Sequence, residues 1–278
     1  MVRKADHRWE WKVSQIGGQS VTAFVCATTG PHRVYTVLAN PKLPWKPNGI
    51  DVNNPWVAAL NFCDAFLEGE NNPQNAMSTI TSRLFYNMGF TYDTENSRSH
   101  YWDTSGKFEL SNYMIGTDNL VNCHDQAYGV ATFANLVGIK AQIIQAMPFG
   151  YINTVNLIGV GPCNNPVYEM AEEIEYWKDE LNDQGQLVSQ PKTNTVLRTQ
   201  ICSADETQRS FFQTHAFVGV YDGRIFDACV GPALGTLQIN DYMRSVIDYS
   251  TENERRLSRY WDGNQIEVSQ PAQNYKLK

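Results

Sequence analysis

Thr214-His215-Ala216-Phe217-Val218-Gly219-Val220-Tyr221-Asp222-Gly223-Arg224-Ile225-Phe226-Asp227 reads as two strands joined by a tight turn. Side chains alternate along a strand, so Ala216, Val218 and Val220 share one face while His215, Phe217 and Gly219 share the other. The turn then decides where Asp227 points. A two-residue Asp222-Gly223 turn pairs Tyr221 with Arg224 and sends His215 and Asp227 to opposite faces. A three-residue loop, Tyr221-Asp222-Gly223, pairs Val220 with Arg224 and needs Gly223 in the left-handed region. It sets Asp227 diagonal to His215 on one face, roughly 7–8 Å away at the backbone and within side-chain reach. The two polar groups can meet only with the longer turn.

Working outward, the next informative stretch lies upstream, at Asn122-Cys123-His124-Asp125. Ala127, Val130, Ala131, Ala134 and Val137 follow the helical period, with Asn122 as N-cap, Asp125 as the return arm of a capping box and Gly138 as the stop. Cys123 is therefore expected at a helix N-terminus, where free N–H groups and the helix dipole favour a thiolate. Its own N–H can serve an oxyanion. The ordinary reading of one cysteine is a small buried residue, and mid-helix Cys63 fits it. Cys123 departs from it because a histidine strand and an aspartate strand follow downstream. His124 is set aside, since neighbours on a helix do not face each other.

Asn122-Cys123 before an apolar helix, His215-Ala216-Phe217-Val218, and Asp227 after a hairpin resemble the transglutaminase-like superfamily, over about residues 75–230. The resemblance implies a papain-like cysteine fold, with Cys123 as nucleophile, His215 as base and acid, and Asp227 orienting His215. It further suggests Trp102 as an upstream oxyanion donor. Two features depart from the family. The stretch from Cys123 to His215 is long, so residues 160–195 read as an insertion, and His124-Asp125 replaces the usual small residues.

Composition sets outer limits. With 278 residues, 42% of them apolar and 18% charged, the chain is an ordinary globular one that can bury a large core. A formal charge of −7 without long charge runs argues against a nucleic-acid surface. No apolar run reaches the length of a membrane span. The start, Met1 to His7, lacks the apolar core of a signal peptide. The six cysteines are scattered with no CxxC pair, which speaks against a disulfide framework and a zinc site.

Along the chain, residues 8–38 read as strands broken at Thr29-Gly30-Pro31, and 40–55 as a proline-rich wrap. Helices are expected over 56–69, over 73–88 from Pro73, and near 241–248. Residues 92–118 read as irregular, 167–181 as an acidic surface helix, 183–194 as a polar loop, and the end as a polar tail. Further strands are expected at about 141–147, 153–160 and 195–202.

The expected fold is α+β: a papain-like or transglutaminase-like core, its nucleophile helix packed on an antiparallel sheet, with a strand-rich segment over 1–45 before a catalytic domain over 46–278. The expected function is thiol-dependent acyl transfer or hydrolysis at amide bonds of a protein or peptide, through Cys123, His215 and Asp227, with no cofactor and no metal. The free N-terminus and polar loops suggest a module of a secreted or delivered bacterial protein. The alternative is a non-catalytic binding module on the same fold, with the aromatic stretch Tyr86 to Tyr113 as its surface.

Overall fold

The computed structural model describes residues 1–45, 55–102, 107–146, 152–164, 171–181, 184, 187–197, 214–247 and 257–261, with 171–181, 187–197 and 257–261 described as backbone. The expected boundary at 45/46 abuts residues 46–54, which lie outside this set. So do the start of the expected helix at 167–181, the end of the strand expected at 195–202, and Cys202.

The chain opens with β1 (Arg3–Ile16) and β2 (Gln19–Thr36), a long antiparallel ribbon. Helices α1 (Val57–Leu67) and α2 (Pro73–Tyr86) follow, then β3 (Thr91–Tyr92), α3 (Leu110–Ile115) and β4 (Leu120–Val121). Helix α4 (Cys123–Leu136) leads into β5 (Ala141–Ala146), and two small hairpins come next: β6 (Val155–Leu157) with β7 (Gly161–Cys163), and β8 (Ala171–Leu181) with β9 (Leu187–Leu197). The last elements are β10 (His215–Val220), β11 (Arg224–Asp227), β12 (Ala233–Gln238), α5 (Ile239–Val246) and β13 (Leu257–Trp261). The fold is mixed α and β, and among the described residues every strand pair is antiparallel except β3–β4.

The main sheet has five strands in the order β12-β11-β10-β5-β13. Helix α4 packs on β5, β10 and β11, and it also meets α1 and α2. Almost every residue of α4 is buried, so the helix runs through the core rather than along the surface. Small residues permit this. A Cβ on Gly129 would meet the Tyr113 Oη at 2.6 Å, so the tyrosine ring lies directly on the helix there. Phe133 stacks on Phe62 at 4.8 Å, and Trp45 donates its indole N–H to the Thr132 carbonyl.

The ribbon is tied to the body at its base. Val2 exchanges backbone bonds with Gly69 and Glu70, Lys4 pairs with Asp64, and Tyr35 donates to Asn61. Among the described residues, no helix is long and apolar enough to cross a membrane.

Four expectations fail. The ribbon runs through the expected break at Thr29-Gly30-Pro31, because a two-stranded ribbon leaves its outer edge unpaired, where a proline costs no ladder bond, and a bulge between His7 and Trp9 absorbs the irregularity. The acidic helix and polar loop are instead the hairpin β8–β9. In that register Glu172, Glu173, Glu175 and Glu180 face Val196, Thr195, Thr193 and Val188, so no acid opposes another. The stretch 92–118 holds the short α3, and the tail holds β13, which pairs with β5.

Candidate active site

Each side chain expected at the site is set by a local device. Asn122 caps α4, accepting from the N–H groups of His124 and Asp125, while Asp125 returns to the Asn122 N–H. The Asp125 carboxylate also accepts from the N–H groups of His100 and Tyr101, which fastens the 93–101 loop to the start of the helix. With His124, Asp125 and Gln126 bonded to Asn122, the Cys123 N–H has no partner among the described residues.

The hairpin takes the three-residue turn. Val218 pairs with Phe226 and Gly219 with Ile225; Gly223 sits at φ +82° and donates to the Val220 carbonyl. Continued by one pair, this register sets Phe217 against Asp227 and leaves Asp227 diagonal to His215. The contact is made: His215 Nε2 lies 2.8 Å from Asp227 Oδ2. Asp227 Oδ1 accepts from the Cys229 and Val230 N–H groups at 2.6 and 3.1 Å, so the carboxylate is locked by the turn after β11.

The structure brings Cys123 and His215 together as well. The sulfur and the imidazole are both buried and close enough to shift each other's ionisation. Burial opposes ionisation of Cys123, but His124 and His215 outweigh it and pull the thiol down to about 5. Burial likewise opposes charge on His215, but Asp227 and Cys123 push it up to about 10. A thiolate beside an imidazolium results. The other buried thiols behave differently: burial holds Cys63 and Cys229 well above the ordinary range, with Asp227 adding to the effect at Cys229.

Three contributors escaped the sequence reading. Tyr242 of α5 donates to Asp227 Oδ2 through a short bond and lies 3.2 Å from His215 Nε2. Its only sequence signal was a place on an amphipathic helix. His124 was set aside, yet its Nδ1 stands 3.6 Å from the Cys123 sulfur. The neighbour rule fails at the first turn, where no preceding turn fills the space and consecutive side chains can both bend toward the N-terminus. Gln145 of β5 lies 3.5 Å from His124 Nε2 and donates to Thr214 at 2.6 Å.

Trp102 packs edge-on against Tyr128 of α4 at 4.3 Å, one turn beyond His124. Its indole N–H is buried without a partner among the described residues.

Compared with protein-family models, curated proteins and solved structures, the chain matches none.

The chemistry must therefore be read from the side chains themselves. A thiol, two imidazoles and a carboxylate meet at the start of a buried helix. Among the described residues, no group of three or more His, Cys, Asp or Glu side chains forms a metal-ligand set. A groove between the start of α2, the chain after α4 and the β10–β11 turn, lined by Met77, Ile139 and Phe226, lies at the opposite end of α4 from Cys123.

Proposed function

We propose that this chain is a thiol acyltransferase or amide hydrolase of the transglutaminase-like kind, with a papain-like arrangement of Cys123, His215 and Asp227. The observation that carries the reading is His215, bonded to Asp227 through Nε2 and close enough to the Cys123 sulfur at the start of a helix for each to shift the other's ionisation.

The thiolate attacks the carbonyl carbon of an amide, and negative charge moves to the oxygen. The unpartnered Cys123 N–H receives that oxyanion, with the Trp102 indole N–H as the second donor. His215 gives its proton to the leaving nitrogen, the C–N bond breaks, and a thioester remains. His215, now neutral, takes a proton from water or from an amine as that group attacks. The thiolate then leaves and the imidazolium is restored. Asp227, locked by two backbone N–H groups and Tyr242, holds the ring in one orientation throughout. Water gives hydrolysis or deamidation, and an amine gives a cross-link.

The test uses a glutamine-bearing protein with and without a labelled primary amine. Expected are ammonia release or label incorporation by the native protein and neither by Cys123→Ala. Peptide cleavage that depends on Cys123 would assign the same machinery to proteolysis. Turnover that survives Cys123→Ala, or a Cys123 that alkylates no faster than a free thiol, would overturn the reading and leave a binding module.

A further inference from the structure

We propose that His124 is a second catalytic imidazole, donating its Nδ1–H to the Cys123 sulfur while Gln145 holds its Nε2 as an acceptor. The inference rests on the thiol reading above and adds a residue to it.

The geometry runs in one line. Gln145 Nε2 carries two N–H bonds. One is given to Thr214 Oγ1 at 2.6 Å, and the other is directed to His124 Nε2 at 3.5 Å. An amide N–H aimed at a ring nitrogen makes that nitrogen the acceptor, so the ring proton lies on Nδ1. Nδ1 is the atom 3.6 Å from the sulfur, within range for a hydrogen bond to sulfur. His124 thus offers a proton to the thiolate without needing a positive charge.

The two imidazoles have different tasks. His215 cycles between charged and neutral, because it is the group that moves the proton. During breakdown of the thioester, His215 accepts a proton from the attacking water. The C–S bond then breaks and its electron pair goes to sulfur. His124 steadies that departing thiolate through its Nδ1–H; burial opposes charge on this ring, but the sulfur beside it pushes its ionisation up. Other ionisable groups face this centre. Tyr92 of β3, Tyr242 of α5 and Cys229 after β11 sense the Cys123 charge, Asp227 of β11 is bonded to His215, and Asp125 and His215 act on His124. Burial keeps Tyr92, Tyr242 and Cys229 protonated, so they add no competing charge.

The experiment is the pH dependence of Cys123 alkylation, followed by peptide mapping in the native protein, His124→Gln, Gln145→Leu, His215→Ala and His124→Gln/His215→Ala. His124→Gln should raise the ionisation midpoint of Cys123 by about one pH unit or more, a roughly tenfold slower reaction on the acid side. Gln145→Leu, which keeps the ring, should shift it in the same direction by less. His215→Ala should stay below an ordinary thiol, and the double variant should reach about 8.5. Circular dichroism and thermal midpoints separate these shifts from misfolding, and Gln145→Leu carries the test if His124→Gln does not fold. An unchanged midpoint in the folded His124 and Gln145 variants, or an ordinary midpoint in His215→Ala alone, overturns the role of His124 and leaves the thiol reading standing. An ordinary midpoint in the native protein overturns both.

Discussion

Cys123 and His215 each favour the charged form of the other, the histidines pulling the thiol down and Asp227 with the sulfur pushing the imidazole up. A thiol at about 5 and an imidazole at about 10 leave a broad interval in which thiolate and imidazolium coexist. The limits follow from the signs. Cys123 gains its charge as pH rises through the lower value, and His215 loses its proton as pH rises through the upper one. The rate of acylation should therefore climb on the acid side near 5, stay level across neutrality, and fall towards 10, which a pH profile of kcat/KM reads directly. Replacing Asp227 by Asn should draw the alkaline limb down towards the ordinary histidine range, because the carboxylate is the main group holding the proton on His215. An alkaline limb unmoved in that variant would assign the upper limit to another group.

At the scale of elements, the site depends on one turn and one cap. Gly223 at φ +82° occupies a region that β-branched residues resist. Gly223→Val should destabilise the protein by about 1–3 kcal/mol and lower activity further than that loss explains, since slippage of the hairpin turns Asp227 away from His215. Comparing activity and unfolding of the variant at a temperature where it remains folded separates the two effects. At the cap, the Asp125 carboxylate takes three backbone N–H groups, the buried ones of Asn122 and Tyr101 and the half-buried one of His100. Asp125→Ala strands all three, at about 1–3 kcal/mol apiece, and should cost more stability than any surface change. Chemical denaturation measures it. His100 extends the same clamp, its ring bridging Asp93 and Asp118 at 2.9 and 2.8 Å. The segment before α4 is thus held to the first turn of that helix by polar bonds where a sequence reading finds only irregularity.

For the molecule as a whole, the β1–β2 ribbon and the body divide the work. The ribbon meets the body near its base, and the side-chain bonds described farther out, such as Arg33 to Asp6 and Lys12 to Glu10, stay within the ribbon. Replacing residues 12–25 by a two-residue turn should leave the thermal midpoint within a few degrees and the reactivity of Cys123 unchanged. A collapse of either would show that the distal ribbon supports the core. By itself the sequence determined the helix that starts at Cys123 and the α2 helix with Pro73 in its first turn, and it narrowed the hairpin to two registers, of which the structure takes the one that sets Asp227 diagonal to His215. Those features are local, fixed by caps, turn residues and side-chain alternation within a few positions. Only the tertiary structure decided that the acidic stretch at 171–181 is a strand, since its β form depends on the partner at 187–197. Tertiary structure alone also placed Tyr242 at the carboxylate, His124 at the sulfur and Gln145 behind His124. They come from α5, the first turn of α4 and the middle of β5, and no local pattern records which of many polar side chains a folded core will turn inward.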